Sequence, residues 1–231
     1  MNNFCDRVLF FNENLIREFK FNSPNVEVIN PFHEDPNISK NFKKFYNKFF
    51  NDQKTRRMIL GINPGRLGSG ITGIPFTDSK RLTEDCKIPM KAGHMRELSS
   101  EFIYEVIHAY GGAKKFYDHF YISSVCPVGF VERDDCGKPR NLNYYDNQEI
   151  NLKLKAFIVN SIRKQLEFGI DRSVCFRLGS GKNSAFLLSL NSEYNFFERI
   201  IPLPHPRYIM QYKSKEKEQF LSRYIRTLTE A

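Results

Sequence analysis

The chain has no tryptophan, no CxxC pair and no apolar stretch near the ~20 residues that a membrane-spanning helix needs. Internal repeats and low-complexity linkers are also absent. Without CxxC, a zinc ribbon or a close-spaced iron–sulfur cluster is disfavoured. The five cysteines, Cys5, Cys86, Cys126, Cys136 and Cys175, form an odd, scattered set that suits reduced, buried thiols in a cytoplasmic protein. His33, His94, His108 and His119 show no metal-ligand spacing, and Asp134 and Asp135 read as a solvated loop pair, so neither a metal nor another cofactor is expected. The first residues carry acids and no cleavage site, which argues against a signal peptide. Acidic side chains are the minority, 26 against 35 Lys and Arg, for a net charge of +9. A basic surface attracts polyanions through counterion release, so a nucleic acid is the first partner to consider, with plain solubility as the alternative.

What is present fits one α/β domain. At 231 residues the chain can bury a core without disulfides or metal, and residues 1–50 read as a helical extension packed on that domain. Residues 4–20 and 39–50 have helical periodicity, and Pro31, Pro36 and Asn37 mark a loop between them. Short apolar runs at 57–62, 120–125, 173–178 and 197–202 read as strands. Helical patterns at 98–110, 148–168, 180–190 and 213–228 alternate with them, while 63–78 and 129–146 read as loops. The alternation predicts a three-layer α/β/α sandwich around a four-stranded parallel sheet. Ligands in such sheets bind beyond the carboxyl ends of the strands, and the unusual segments fall there.

Three segments carry chemistry. The first is Gly61-Ile62-Asn63-Pro64-Gly65, followed by Thr72-Gly73-Ile74-Pro75-Phe76. Pro and Gly force a tight turn and let the backbone approach a flat ligand. The amide of Asn63 can hold a water, and Phe76 offers a face to a base. A structural Gly/Pro loop with a capping Asn is the plainer alternative. The second is Pro204-His205-Pro206-Arg207, where a His between prolines could donate to a developing anion or simply sit in a loop. The third is Ser123-Ser124-Val125-Cys126-Pro127, either a lining of the same pocket or an ordinary strand end. Gly179-Ser180-Gly181-Lys182-Asn183 is not a P-loop: Phe176 stands where the first glycine is needed, and Asn183 replaces the magnesium-binding Ser/Thr. A strand-to-helix turn that meets a DNA phosphate suits it better. Tyr144-Tyr145 could stack on DNA, but packing is the default reading.

The order GINPG (61–65), TGIPF (72–76), VCPVGF (125–130) and PHPR (204–207) resembles the uracil-DNA glycosylase superfamily, specifically its single-strand-selective monofunctional (SMUG) branch. The likeness, which includes the Asn63–Phe76 spacing, covers residues of about 57 to 212. It implies a glycosylase that hydrolyses the bond between deoxyribose and a flipped uracil, single- or double-stranded DNA as partner, a monomer, and no strand cleavage, since the motif supplies no Lys nucleophile. It implies that Asn63 positions the attacking water and His205 stabilises the departing base anion. Gly61, Ile62, Gly65, Phe76 and Ser124 would then contact the base. Arg207 and the loop after it, with Tyr208 or Met210 as the wedge, would enter the duplex. By charge, Arg66, Lys80, Lys182 and Arg207 are candidates for phosphate contact, with simple solvated charge as the alternative for each.

Three departures mark a divergent subgroup. Ser124 stands where the family usually has a base-reading Asn, the family's HPSPRN is shortened to HPR, and Arg66 occupies an ordinarily apolar position. They leave room for a non-catalytic single-strand DNA-binding or damage-sensing module, for an enzyme of free nucleosides, or for a glycosylase of deaminated purines.

Overall fold

Met58, Ile59 and Leu60 are consecutive and all buried, as expected of a strand covered on both faces. The computed structural model describes residues 3–19, 21, 25–29, 31–34, 36–90, 96–134 and 136–231. The side chain of His33, and the whole of His94 and Asp135, lie outside the described residues.

Along the chain come α1 (Phe4–Glu18), β1 (Val26–Ile29), α2 (Pro31–Glu34), α3 (Pro36–Phe50) and β2 (Arg56–Gly61). Then follow α4 (Ser69–Thr72), α5 (Ser79–Glu84), α6 (Leu98–Ala109), α7 (Ala113–His119), β3 (Phe120–Ser124), β4 (Gly129–Arg133) and β5 (Pro139–Leu142). The last stretch holds α8 (Gln148–Leu166), β6 (Ile170–Leu178), α9 (Lys182–Tyr194), β7 (Arg199–Leu203), α10 (Pro206–Tyr212), a 3₁₀ turn at Ser214–Glu216, and α11 (Lys217–Glu230).

The central sheet has the order β3-β2-β6-β7 with every pairing parallel, and helices flank it in an α/β/α arrangement. All four strands therefore end on one side, where Gly61 lies opposite Ser124 across β2 and β3, and Leu178 opposite Leu203 across β6 and β7.

Much of the phenylalanine excess is core. Phe4, Phe45, Phe50, Phe102, Phe116, Phe120, Phe130 and Phe176 are among the largest fully buried side chains. Arg56 is buried among them at 0% exposure, which demands partners for every donor face. Its guanidinium lies between the Phe4 and Phe50 rings at 4.6 and 4.8 Å, pairs with Asp52 at 2.8 Å, and donates to the Tyr117 carbonyl at 2.6 Å. One cation thus fastens α1 and α3 to the start of the sheet.

Several sequence expectations need correction. Residues 129–146 are not all loop: β4 and β5 form a hairpin that, with β1, makes a second, antiparallel three-stranded sheet. β5 exposes three of its four residues, so it lacks the alternation that would announce a strand. Pro31 and Pro36 open helices instead of marking loop, because Pro is well placed in a first turn. The same logic applies to Pro206, which starts α10 where no helix was expected. The loop expected at 63–78 contains α4, and α7 was not anticipated. Of the cysteines, four are free and buried, but Cys136 is exposed.

Candidate active site

At the carboxyl end of β2 the chain turns sharply through Asn63-Pro64-Gly65. The turn is pressed from below by the hairpin: a Cβ on Gly129 would stand 2.3 Å from the Pro64 carbonyl oxygen, so only glycine lets β4 start there. Gly70 likewise admits the Gly65 carbonyl, whose oxygen accepts from the Gly70 N–H at 2.8 Å. From β5, Asn141 Oδ1 accepts the Arg66 N–H at 3.0 Å, and the Leu142 carbonyl accepts from Asn63 Nδ2 at 3.3 Å. Asn63 Nδ2 also reaches the Pro64 carbonyl at 3.4 Å. These bonds orient the amide and leave Oδ1 buried, with no hydrogen-bond partner among the described residues. A buried acceptor in that state favours a donor from water or ligand.

Phe76 holds a left-handed backbone (φ +51°), which is unfavourable for a bulky residue and is maintained by its surroundings. Its ring lies on Gly61; a Cβ there would be 2.9 Å from Phe76 Cε2. The ring faces the His205 imidazole, centroids 6.0 Å apart.

His205 follows β7 and caps α10. Its Nδ1 accepts the Arg207 backbone N–H at 3.1 Å. Burial, and secondarily the Arg207 charge, push its pKa down to about 4. The ring is therefore neutral at pH 7, and with Nδ1 occupied as an acceptor its proton sits on Nε2. The loop that carries it is fixed from below: the buried Tyr224 of α11 donates to the Pro204 carbonyl. Alongside, Gly179 follows β6 in a left-handed conformation (φ +99°) that side-chain-bearing residues rarely adopt, and lies against His205.

These parts converge on a cleft of about 370 Å³ whose lining includes Asn63, Gly65, Phe76, Ser124, His205 and Arg207, although none of the 125–130 motif that follows Ser124 lines it. Ile62 and Tyr208 also line it, and Gly61 supports Phe76 from behind. Ser124 is buried at the end of β3. Arg66 is exposed on the turn, outside the lining. Lys182 is exposed at the start of α9, also outside it, next to a neighbouring recess lined by Arg177, Gly179, Ser180 and Arg223. Lys80 is not brought to the cleft; it lies 3.8 Å from Glu84 on α5. Met210 is packed against the core and is not among the lining residues. Asn183 is buried and accepts from the Tyr144 hydroxyl at 2.7 Å, which makes both residues structural.

The sequence alone did not single out Glu97, Asn141, Asn143 or Tyr212, all of which line the cleft. Tyr212 could have been found from its i,i+4 spacing to Tyr208 had α10 been foreseen; their rings lie 5.9 Å apart on an exposed face. Nothing in the local sequence marks Glu97, which precedes α6.

A family model of the uracil DNA glycosylase superfamily matches residues 47–229. Among solved structures, wild-type SMUG2 of Pedobacter heparinus is 45% identical, with a TM-score of 0.94 over 99% of this chain and 98% of that one. A comparison with curated proteins gives no match. A family match over most of the sequence, joined to a full-length structural likeness at that identity, means that this chain belongs to the uracil DNA glycosylase superfamily, on its SMUG branch.

Proposed function

We propose that the protein is a monofunctional DNA glycosylase that hydrolyses the N-glycosidic bond of uracil flipped out of DNA, so initiating base excision repair. The observation that carries this reading is the pairing, across one cleft, of a neutral His205 whose free donor is Nε2–H with an Asn63 whose free acceptor is Oδ1.

Base excision passes through an oxocarbenium-like sugar and a base anion. Nε2–H of His205 serves the anion: a donor aimed at developing negative charge is worth about 3–4 kcal/mol in a desolvated site. A neutral imidazole fits that task, since it donates without the cost of burying a cation. Oδ1 of Asn63 holds the attacking water by accepting one of its hydrogens. Phe76 gives the base a face to lie against. Ser124, with a single hydroxyl that both donates and accepts, meets the base edge. Arg66, Lys182 and Arg207 attract phosphates, joined by Arg177 and Arg223 in the adjoining recess, and Tyr208 with Tyr212 offers a stacking platform beside the extruded base. No lysine is among the described lining residues, so excision without Schiff-base strand cleavage is the expected outcome. We also infer a single domain, because one buried cluster runs from Phe4 to Leu228.

Oligonucleotides carrying uracil, hydroxymethyluracil, xanthine or hypoxanthine, single- and double-stranded, test the reading. Uracil release is expected, and Asn63→Ala should abolish it while leaving DNA binding intact. DNA binding with no excision of any of these bases by the wild type would make the chain a damage-sensing module instead. Because Ser124 is shorter than the family's Asn, release of deaminated purines is a second outcome to score in the same panel.

A further inference from the structure

Glu97 is the one carboxylate among the described residues lining the cleft. It sits at the N-cap of α6 but does not cap it, since its side chain makes no bond to the helix. The carboxyl is turned instead onto the Gly65–Gly68 turn. A Cβ on Gly68 would stand 1.9 Å from Oε2, and one on Gly65 would stand 3.9 Å from Oε1. Glycine at 68 is thus what admits the carboxyl beside the turn that carries Asn63.

The chemistry leaves a task open. An amide can hold a water but cannot take its proton. When the C1′–N bond breaks, its electron pair leaves on the base. The water oxygen then bonds to C1′ and must release a proton. His205 is already a donor through Nε2–H, and its Nδ1 is occupied by the Arg207 N–H. Building on the proposed excision reaction, we propose that the Glu97 carboxylate accepts the proton released by the water held on Asn63, and later returns it to the base anion or to solvent. The atoms balance as nucleoside plus water giving free base plus sugar hydroxyl, with no other reactant.

The surroundings poise this carboxyl. Burial, reinforced by the Asp78 charge and opposed by Arg207, pushes its pKa up to about 7. A general base is most effective when its pKa is near the working pH. Asp78, at the N-cap of α5, is held close because its Oδ2 accepts the Glu97 N–H at 2.9 Å. The adjacent Arg96 is committed to Glu101 at 2.7 Å. Arg207 faces from α10, His205 across the cleft is neutral, and Arg66 is exposed on the turn.

Single-turnover uracil excision by wild type, Glu97→Gln and Glu97→Asp from pH 5 to 9 tests the proposal. The wild-type rate should rise with pH to a plateau through an apparent pKa near 7. Glu97→Gln should lower the plateau about 10²-fold and erase that limb, whereas Glu97→Asp should retain a limb. Oligonucleotide affinity and a thermal melt at pH 8 should match or exceed the wild type for the Gln variant. A Gln variant that keeps the wild-type rate overturns the proposal, and so does one that loses rate with the limb unchanged, which would mark Glu97 as a positioning residue. A wild type inactive on uracil would overturn the glycosylase reading itself, a distinct result.

Discussion

Replacing His205 by Ala and, separately, by Asn divides two roles that one imidazole performs. Toward the protein, Nδ1 caps α10 by accepting the Arg207 N–H at 3.1 Å. Toward the substrate, Nε2–H is the free donor. Asn is among the best N-cap residues, and loss of a cap to Ala costs about 1 kcal/mol. In a chain of this size that lowers the Tm by about 2–4 °C. Asn is also too short to place a donor where Nε2–H lies. The rate effect follows from the other nitrogen: losing a donor worth about 3–4 kcal/mol, at 1.36 kcal/mol per tenfold, gives about 10²–10³. Both variants should therefore be slowed by that factor in single-turnover excision, while only His205→Ala should melt early. Two results would refute the reasoning. One is an Asn variant as active as wild type, which would place the role in the cap. The other is a rate loss in Ala that tracks its stability and is absent in Asn.

The two shifted groups of the cleft act oppositely on stability. His205 falls from 6.5 to about 4 on folding, so its contribution is whole above pH 6.5 and is lost as pH drops toward 4. Glu97 rises from 4.5 to about 7, so the folded state gains stability as pH falls from 7 to 4.5. In chemical denaturation across pH 4–7, measured relative to the wild type, His205→Asn should gain stability on acidification and Glu97→Gln should lose it; parallel curves for all three would contradict the assignments. Ser124→Asn should raise the preference for uracil over the purine lesions in competition assays, and unchanged relative rates would remove Ser124 from base selection. Gly61→Ala sets a Cβ 2.9 Å from the Phe76 ring and should lower kcat/KM about tenfold while costing about 1–3 kcal/mol of stability; a silent substitution would show that the ring position is immaterial. Log Kd for uracil-bearing oligonucleotides should climb steeply with log salt, losing roughly one unit of slope in Arg207→Ala, whereas a flat response would count against phosphate contacts.

The strand-end residues were legible because each stands at or just after a short strand-like run: Asn63 after the buried Met58–Gly61, Ser124 at the close of the buried Phe120–Ser124, and His205 after Arg199–Leu203, an edge strand of which only Leu203 is fully buried. Parallel pairing then carries all three to one edge, a consequence of topology that needs no contact information. What stayed hidden has local polarity unlike its structural role. β5, which delivers Asn141 and leads into Asn143, exposes three of its four residues, and the pairing of its partner β4 with β1 spans about a hundred residues of sequence. Glu97 looks like any charged residue before a helix; only the folded turn at Gly65–Gly68 reveals that its carboxyl is confined in the cleft. α10 was obscured because Pro206 reads as a constraint on His205 when it also opens a helix.

Family likeness alone does not explain why these particular atoms are available. Asn63 spends its Nδ2 hydrogens on the Leu142 and Pro64 carbonyls, and His205 spends its Nδ1 lone pair on the Arg207 amide. Each side chain is thereby left with a single free polar atom of fixed character, an acceptor on one wall and a donor on the other. The supports come from outside the central sheet, through the hairpin at Leu142 and through Tyr224 at Pro204. A site assembled in this way does not need to reorganise when charge separates, which is the condition under which neutral groups catalyse efficiently. It also locates the sensitivity of the enzyme. Substitutions at Gly129 or Tyr224, remote from any substrate atom, should impair excision by letting the Asn63 turn or the His205 loop drift, and they should do so without altering the pH dependence set by the groups inside the cleft.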